Sequence, residues 1–421
     1  MLDLLVKNAR IDGEQYLVDI ACKDGKIVEI APSISGETIR TIDALGNFVT
    51  PPFVDSHFHM DATLSMGMPR LNQSGTLLEG IKIWGELKPD LTPEGLKERA
   101  LKLCSWSVAK GNLAIRTHVD TTDPTLMAVD VLLEVREEMK QFIDIQLVAF
   151  PQDGVLRCKE GVDLLNKALD KGVDVVGGIP HFERTMDEGR ESVRILCEIA
   201  AERGLMVDMH CDESDDPHSR HIEALTFQTQ RLGLQGRVAG SHLTSMHSMD
   251  NYYVSKLLPL MAEAEMNCVC NPLVNMNLQG RHDTYPKRRG LMRVPELMDM
   301  GINVSLGHDD VMDPWYPMGT HDMLEVAHMG AHALHMTGVD QQEALFDAVT
   351  VNGAKTLGLS GYGLATGDNA DMVVLQAADK MEALRLHPAR LFVIRRGAII
   401  STTPAVEATV ELDESIKVDF R

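Results

Sequence analysis

The sequence predicts an α/β protein, a (β/α)8 barrel with a small β-sandwich-like domain formed by both chain ends. Three observations predict it. Eight short apolar runs alternate with helical stretches through the middle of the chain, both ends read as strands and turns, and polar residues recur just past the C-terminal ends of the apolar runs. A chain of 421 residues exceeds the usual single-domain length, so one large domain with a smaller one is the natural expectation.

Residues 1–50 carry Leu4-Leu5-Val6, Leu17-Val18-Asp19-Ile20 and Lys26-Ile27-Val28-Glu29-Ile30, separated by the turn dipeptides Asp12-Gly13 and Asp24-Gly25. The far end repeats that texture in Asp371–Leu375 and Leu391–Ile394, with Gly397 starting the turn to Ile399-Ile400. Residues 1–50 with 365–421 are therefore expected to form one composite β domain, and residues 51–364 the barrel. Its strand candidates are Phe48–Val54, Leu113–Val119, Ile143–Phe150, Val173–Ile179, Met206–His210, Val238–His242, Asn267–Cys270 and Ile302–Gly307. Between them lie helical stretches such as 96–110, where Leu96, Ala100, Leu103 and Cys104 share one face. Eight β-then-α units fit a closed barrel better than a doubly wound sheet.

The polar residues keep register with those strands. His57 and His59, His118 and Asp120, Gln152, His181 and Glu183, His210 and Glu213, His242, Asn271 and Asn275, and His308-Asp309-Asp310 each follow a strand end. A barrel gathers all such ends around one mouth, where its site is built.

Composition narrows the partners. Forty Lys+Arg against 62 Asp+Glu leave a net charge of −22, which repels phosphate backbones, so nucleic acid is excluded as a partner and a nucleobase substrate would be the free base. The seven cysteines form no C-x-x-C pair, which points away from a disulfide framework or a cysteine zinc site. The first residues do not read as a signal peptide, and no apolar stretch approaches membrane-spanning length, so a cytoplasmic protein with no membrane partner is expected. The 24 methionines read as core filler.

His57 and His59 sit at i and i+2 on a strand end, so both imidazoles face the same side. Alone, His-x-His is a modest signal. With His210 closing the fifth strand and Asp309 the eighth, it becomes an N3O donor set suited to one divalent ion, Zn2+ or Fe2+, with room for water. His118 and His181 also lie at strand ends and suit hydrogen-bonded wall positions. His308 stays open, because neighbours on a strand point in opposite directions. The remaining histidines suit surface or packing roles.

Pro51–Asp61 resembles the first-strand motif of the amidohydrolase superfamily. Asn72–Leu77, Val148–Gln152, His210–Glu213, Asn271–Asn275 and Gly307–Pro317 resemble the bacterial cytosine deaminases within it. The resemblance runs from the first-strand histidines to the end of the barrel, and the terminal β segments fit it. It implies a barrel with a composite β domain, one catalytic Fe2+ or Zn2+ per subunit, and a homo-oligomer. It carries the ligand roles onto His57, His59, His210 and Asp309, makes Glu213 the proton shuttle, sets His242 beside the attacking water, and makes Gln152 the substrate-binding amide. Asp310, Trp315 and Leu77 are read as lining the substrate pocket. Binuclear relatives carry a carboxylated lysine ending the fourth strand, whereas Val176–His181 holds none, which favours a single ion. The other deaminase pattern, H-x-E with P-C-x-x-C, is not met, because P-C-x-x-C is absent.

The implied reaction is hydrolytic deamination of free cytosine to uracil and ammonia, as in pyrimidine salvage. A divalent ion lowers the pKa of its water toward about 7. Glu213 then protonates N3 as C4 is attacked, and Asp309 returns a proton to the departing amine. The alternatives are isoguanine, another substituted cytosine or creatinine as substrate, or an inactive barrel serving assembly.

Overall fold

The computed structural model describes residues 1–412 and 414–420. Eight parallel strands form one sheet in sequential order: Phe53–Phe58, Asn112–Asp120, Asp144–Phe150, Val175–Gly178, Met206–Cys211, Val238–His242, Asn267–Cys270 and Asn303–Leu306. The second strand is buried at every residue, apolar and polar alike, as expected of a parallel strand covered on both faces. The eighth strand returns to the first through residues of the site itself. Asp309 N donates to His57 O at 2.8 Å and His59 N to Asp309 O at 2.9 Å. Three expected ligand positions, His57, His59 and Asp309, are thus stitched by backbone into the barrel seam.

The helix Pro93–Ala109 buries the expected face of Leu96, Ala100, Leu103 and Cys104. Its start follows from chemistry: Thr92 Oγ1 accepts from Gly95 N at 3.2 Å, and Pro93 occupies the first turn, where its missing N–H costs nothing. Deep in the barrel, the fully buried Arg116 guanidinium donates to Asp208 at 3.0 Å, and Ser241 Oγ donates to the other oxygen at 2.7 Å. This neutral network closes the barrel interior below the histidines.

The chain ends supply two four-stranded sheets and, in Ala408–Glu411 with Ser415–Val418, a two-stranded one. Leu2–Ala9 lies between Val18–Lys23 and Thr38–Asp43, with Lys26–Ala31 outermost. Met372–Leu375 lies between Arg390–Arg395 and Phe48–Thr50, with Ala398–Thr402 at the edge. Leu4, Val6, Ile20, Ile27, Val49, Met372, Val374 and Ile394 form one shared core, so the two sheets pack as a sandwich. Asp24 and Gly25, at φ of 51° and 75°, form the two-residue turn of the hairpin that their sequence announced.

One expected strand divides. Phe48–Val54 was to open the barrel, but Phe48–Thr50 pairs antiparallel with Met372–Leu375, and the barrel strand starts at Phe53. Pro51 and Pro52 lie between, and neither can donate to a ladder, so the chain leaves one sheet before it enters the other. Thr38–Asp43, which lacks a strong apolar signature, also forms a strand. Among the described residues, no helix is long and apolar enough to cross a membrane.

Candidate metal and active site

The side chains past the strand ends converge. His59 Nε2 lies 2.9 Å from His210 Nε2, and Asp309 Oδ1 lies 3.3 Å from His57 Nε2 and 3.6 Å from His59 Nε2. Ligand atoms of His57, His59 and Asp309 fall within 4.8 Å of one another, as do those of His57, His210 and His242. Both ring nitrogens of His57, Nδ1 of His210, Nε2 of His242 and Oδ2 of Asp309 are buried without a hydrogen-bond partner. Folded interiors rarely strand so many polar atoms in one place. Burial also holds the His59 and His210 imidazoles well below their ordinary pKa, in the neutral form that binds metals. Three imidazoles and a carboxylate in this arrangement fit one divalent ion.

A third group, His57, His118 and Asp208, also lies within 4.8 Å. Arg116 and Ser241 occupy the Asp208 carboxylate, however, which makes it a poor cation ligand. His118 is fully buried, its ring 4.2 Å from that of His57 and 4.5 Å from that of His210. It packs behind the ligand set. Phe150 stacks on His210 at 4.0 Å and 15°, fixing that ring from the other side.

Glu213 leaves the fifth strand on a sharp turn whose hinge is Asp212, at φ of 52°. The Asp212 carboxylate is fully buried and accepts from Ser219 Oγ at 2.7 Å, His221 N at 3.0 Å and Ile222 N at 2.8 Å, with His221 Nδ1 at 2.8 Å. Burial alone would raise its pKa, yet these partners hold it below the usual carboxylate range. Asp212 is thus the clamp of the loop that carries Glu213. No local pattern announces it, because its partners lie seven to ten residues downstream.

Glu213 Oε1 lies 3.6 Å from His242 Nδ1, which in turn lies 3.8 Å from Asp309 Oδ2. Asn275 Nδ2 donates to Glu213 at 3.4 Å and lies 3.0 Å from His242 Nδ1. Burial, and then the nearby Asp309 carboxylate, push the Glu213 carboxyl well above its ordinary pKa. Its surroundings therefore favour the proton-bearing form over that of a solvated glutamate.

A cavity of about 200 Å3 opens over these groups. His59, His210, Glu213, His242 and Asp309 line it, and so do Gln152, Leu77, Asp310 and Trp315. His57 lies beneath, wholly buried. His308 does not line the cavity; its Nδ1 lies 2.9 Å from Asp310 O. His181 does line it, its pKa lowered to about 4 by burial, as do Ile179, Phe182, Val274 and Leu278. His181 was visible as a strand-end residue, but the apolar lining carried no signal that separated it from ordinary core.

A parallel β/α barrel with imidazoles and a carboxylate gathered over its C-terminal mouth is the architecture of a metal-dependent hydrolase. The chain belongs to the amidohydrolase family, whose pattern it matches over residues 40–411. Its structure is similar to that of 5-methylcytosine deaminase from Klebsiella pneumoniae liganded with 5-fluorocytosine, at 42% identity and a TM-score of 0.93, covering 96% of this chain and 98% of that one. N-isopropylammelide isopropylaminohydrolase from Burkholderia multivorans aligns at 28% identity and a TM-score of 0.83, over 96% of this chain and 99% of that one. By sequence, N-isopropylammelide isopropyl amidohydrolase of Pseudomonas sp. (strain ADP) is 30% identical over 94% of this chain and 97% of its own length.

Proposed function

We propose that the protein deaminates a free cytosine-type base, releasing ammonia and leaving the corresponding uracil. One observation carries this reading. Glu213, His242 and Asp309 stand in a row along one cavity wall, at successive separations of 3.6 and 3.8 Å, and Gln152 lines the same cavity.

An ion held by His57, His59, His210 and Asp309, Fe2+ or Zn2+, would supply a water acidic enough to attack at neutral pH. Gln152 offers one donor and one acceptor, which match the N1–H and O2 of a cytosine. Glu213, whose proton-bearing form is favoured by burial, donates to N3 while the water's oxygen adds to C4. His242 holds the approaching oxygen in place, and its own position is kept by Asn271 and Asn275, whose amides lie 3.3 and 3.0 Å from its Nδ1. Asp309 takes one proton from the water and passes it to the amino group, which leaves as ammonia, while the second water proton, left on the C4 hydroxyl, returns to Glu213 as the C4 carbonyl forms. Asp310, Trp315 and Leu77 contribute to the walls that confine the ring.

The net charge of −22 supports a free base over one within a nucleic acid. We read the protein as homo-oligomeric, as the deaminase resemblance implies. A 5-substituted cytosine is the second reading. Leu77, Ile81, Val274 and Leu278 give the cavity an apolar side that suits a methyl group, and the Klebsiella relative is named for 5-methylcytosine.

The test is ammonia release from cytosine, 5-methylcytosine, isoguanine and creatinine, compared as kcat/KM. Cytosine or its 5-methyl form should lead. Preference for isoguanine or creatinine would overturn the ring assignment, and silence on every base would favour an inactive barrel.

A further inference from the structure

The helix Leu77–Leu87 forms one side of the cavity, bringing Leu77, Leu78 and Ile81 to its wall. On the same helix, Gly80 is buried directly against the indole of Trp315. A methyl at position 80 would meet Trp315 Cδ1 and fall 2.7 Å from Nε1 and 2.9 Å from Cγ. Real Cβ atoms do not approach other atoms that closely, so helix or indole would have to move. The backbone that carries the indole is held on both sides, and a second indole packs beside the ring. Trp315 N donates to Asp313 Oδ1 at 2.8 Å, Asn277 Nδ2 donates to Trp315 O at 3.4 Å, and Trp84 packs on the ring at 6.1 Å. The indole also faces His59, with ring centroids 6.4 Å apart. Any displacement therefore changes the space between the helix and the metal-site histidines.

The helix offers its own control. Gly85 lies on the exposed side, and a methyl there meets nothing within 4 Å. Glycine is a poor helix former, so helix propensity accounts for neither residue. Only at position 80 does the structure require the absence of a side chain.

We propose that Gly80 is a specificity-determining position. By letting Trp315 lie against the helix backbone, it sets the width of the slot that receives a planar heterocycle. This rests on the reading that the cavity takes a free base.

The experiment compares Gly80→Ala, Gly85→Ala, Trp315→Ala and the double variant Gly80→Ala/Trp315→Ala with the wild type, all metal-loaded and assayed on cytosine. Gly80→Ala should raise KM at least ~10-fold with kcat within ~3-fold and metal content unchanged, the pattern of lost binding and not of lost chemistry. Gly85→Ala should match the wild type. In the Trp315→Ala background, where the Cγ and Cδ1 that a methyl at position 80 would meet are gone, the added Gly80→Ala should change KM by less than ~2-fold, since contacting residues are non-additive. An active wild type with Gly80→Ala behaving like Gly85→Ala, or with effects that simply multiply in the double variant, overturns the proposal. A wild type inactive on cytosine instead removes the reading of the reaction, and this proposal with it. Should Gly80→Ala alone fail to fold, a folded double variant with the KM of Trp315→Ala supports the proposal, and an unfolded one overturns it.

Discussion

His59 and His210 bring their Nε2 atoms to 2.9 Å of one another across 151 residues of chain. Two imidazoles can approach so closely only if at least one nitrogen is unprotonated, and burial keeps both rings neutral. The approach is the geometry of two ligands reaching for one ion.

Metal removal should therefore abolish activity. A chelator is expected to silence the enzyme, and Fe2+ or Zn2+ to restore it. His57→Ala and His210→Ala should each lose the ion, because two imidazoles and one carboxylate hold a divalent cation far less well. Metal analysis beside turnover checks this, and full activity in a metal-free preparation would sink it.

Glu213→Gln keeps the size of the side chain but cannot shuttle a proton. We expect kcat to fall by at least ~10²-fold, the usual contribution of a positioned acid–base group. Bound metal should stay unchanged, since the ligand set is elsewhere. Near-normal kcat in a metal-replete variant would assign the proton to another group, Asp310 first.

Gln152→Ala removes a donor and an acceptor from the cavity wall. Leaving the substrate's polar edge unmatched should cost about 1–3 kcal/mol in kcat/KM, with metal content unaffected. Wild-type kinetics on cytosine would exclude Gln152 as a substrate ligand.

Asp212→Asn probes the loop clamp through pH. A carboxylate whose folded pKa lies below its unfolded value stabilises the fold above the unfolded pKa, and that contribution vanishes as pH falls through the folded one. At pH 7 the variant should be less stable by about 1.5–3 kcal/mol, as expected for lost hydrogen bonds to a buried charge. The gap should persist down to about pH 4 and close below it, because the unfolded carboxyl titrates near 3.9. Unfolding midpoints of both proteins at pH 7, 5 and 3 check this. A gap that is constant across the series would mean that Asp212 carries no charge in the folded state.

Much of the site could be read before any coordinates. Strand ends are marked locally, by apolar runs that stop at polar residues, and a barrel converts those marks into one mouth. His57, His59, His210, His242, Asp309, Gln152 and Glu213 were legible for that reason. Asp212 read as one more loop acid, because the groups that bury and bind it, Ser219 and the helix start at His221, are brought to it only by folding. The apolar lining was silent as well. Val274 and Leu278 look like any core residues until the cavity beside them is seen.

The sequence alone determined the barrel, the β texture of both ends and the donor types at the strand ends. These depend on each residue's own preferences and on short spacings along the chain. Tertiary structure decided how the pieces were shared and how closely they meet. It assigned Phe48–Thr50 to the sandwich and not to the barrel, since only the partner strand Met372–Leu375, more than three hundred residues away, settles which sheet that segment joins. It also brought Gly80 against Trp315 and His118 behind His57. Such approaches belong to no local pattern, because they arise from packing between segments that the chain keeps far apart.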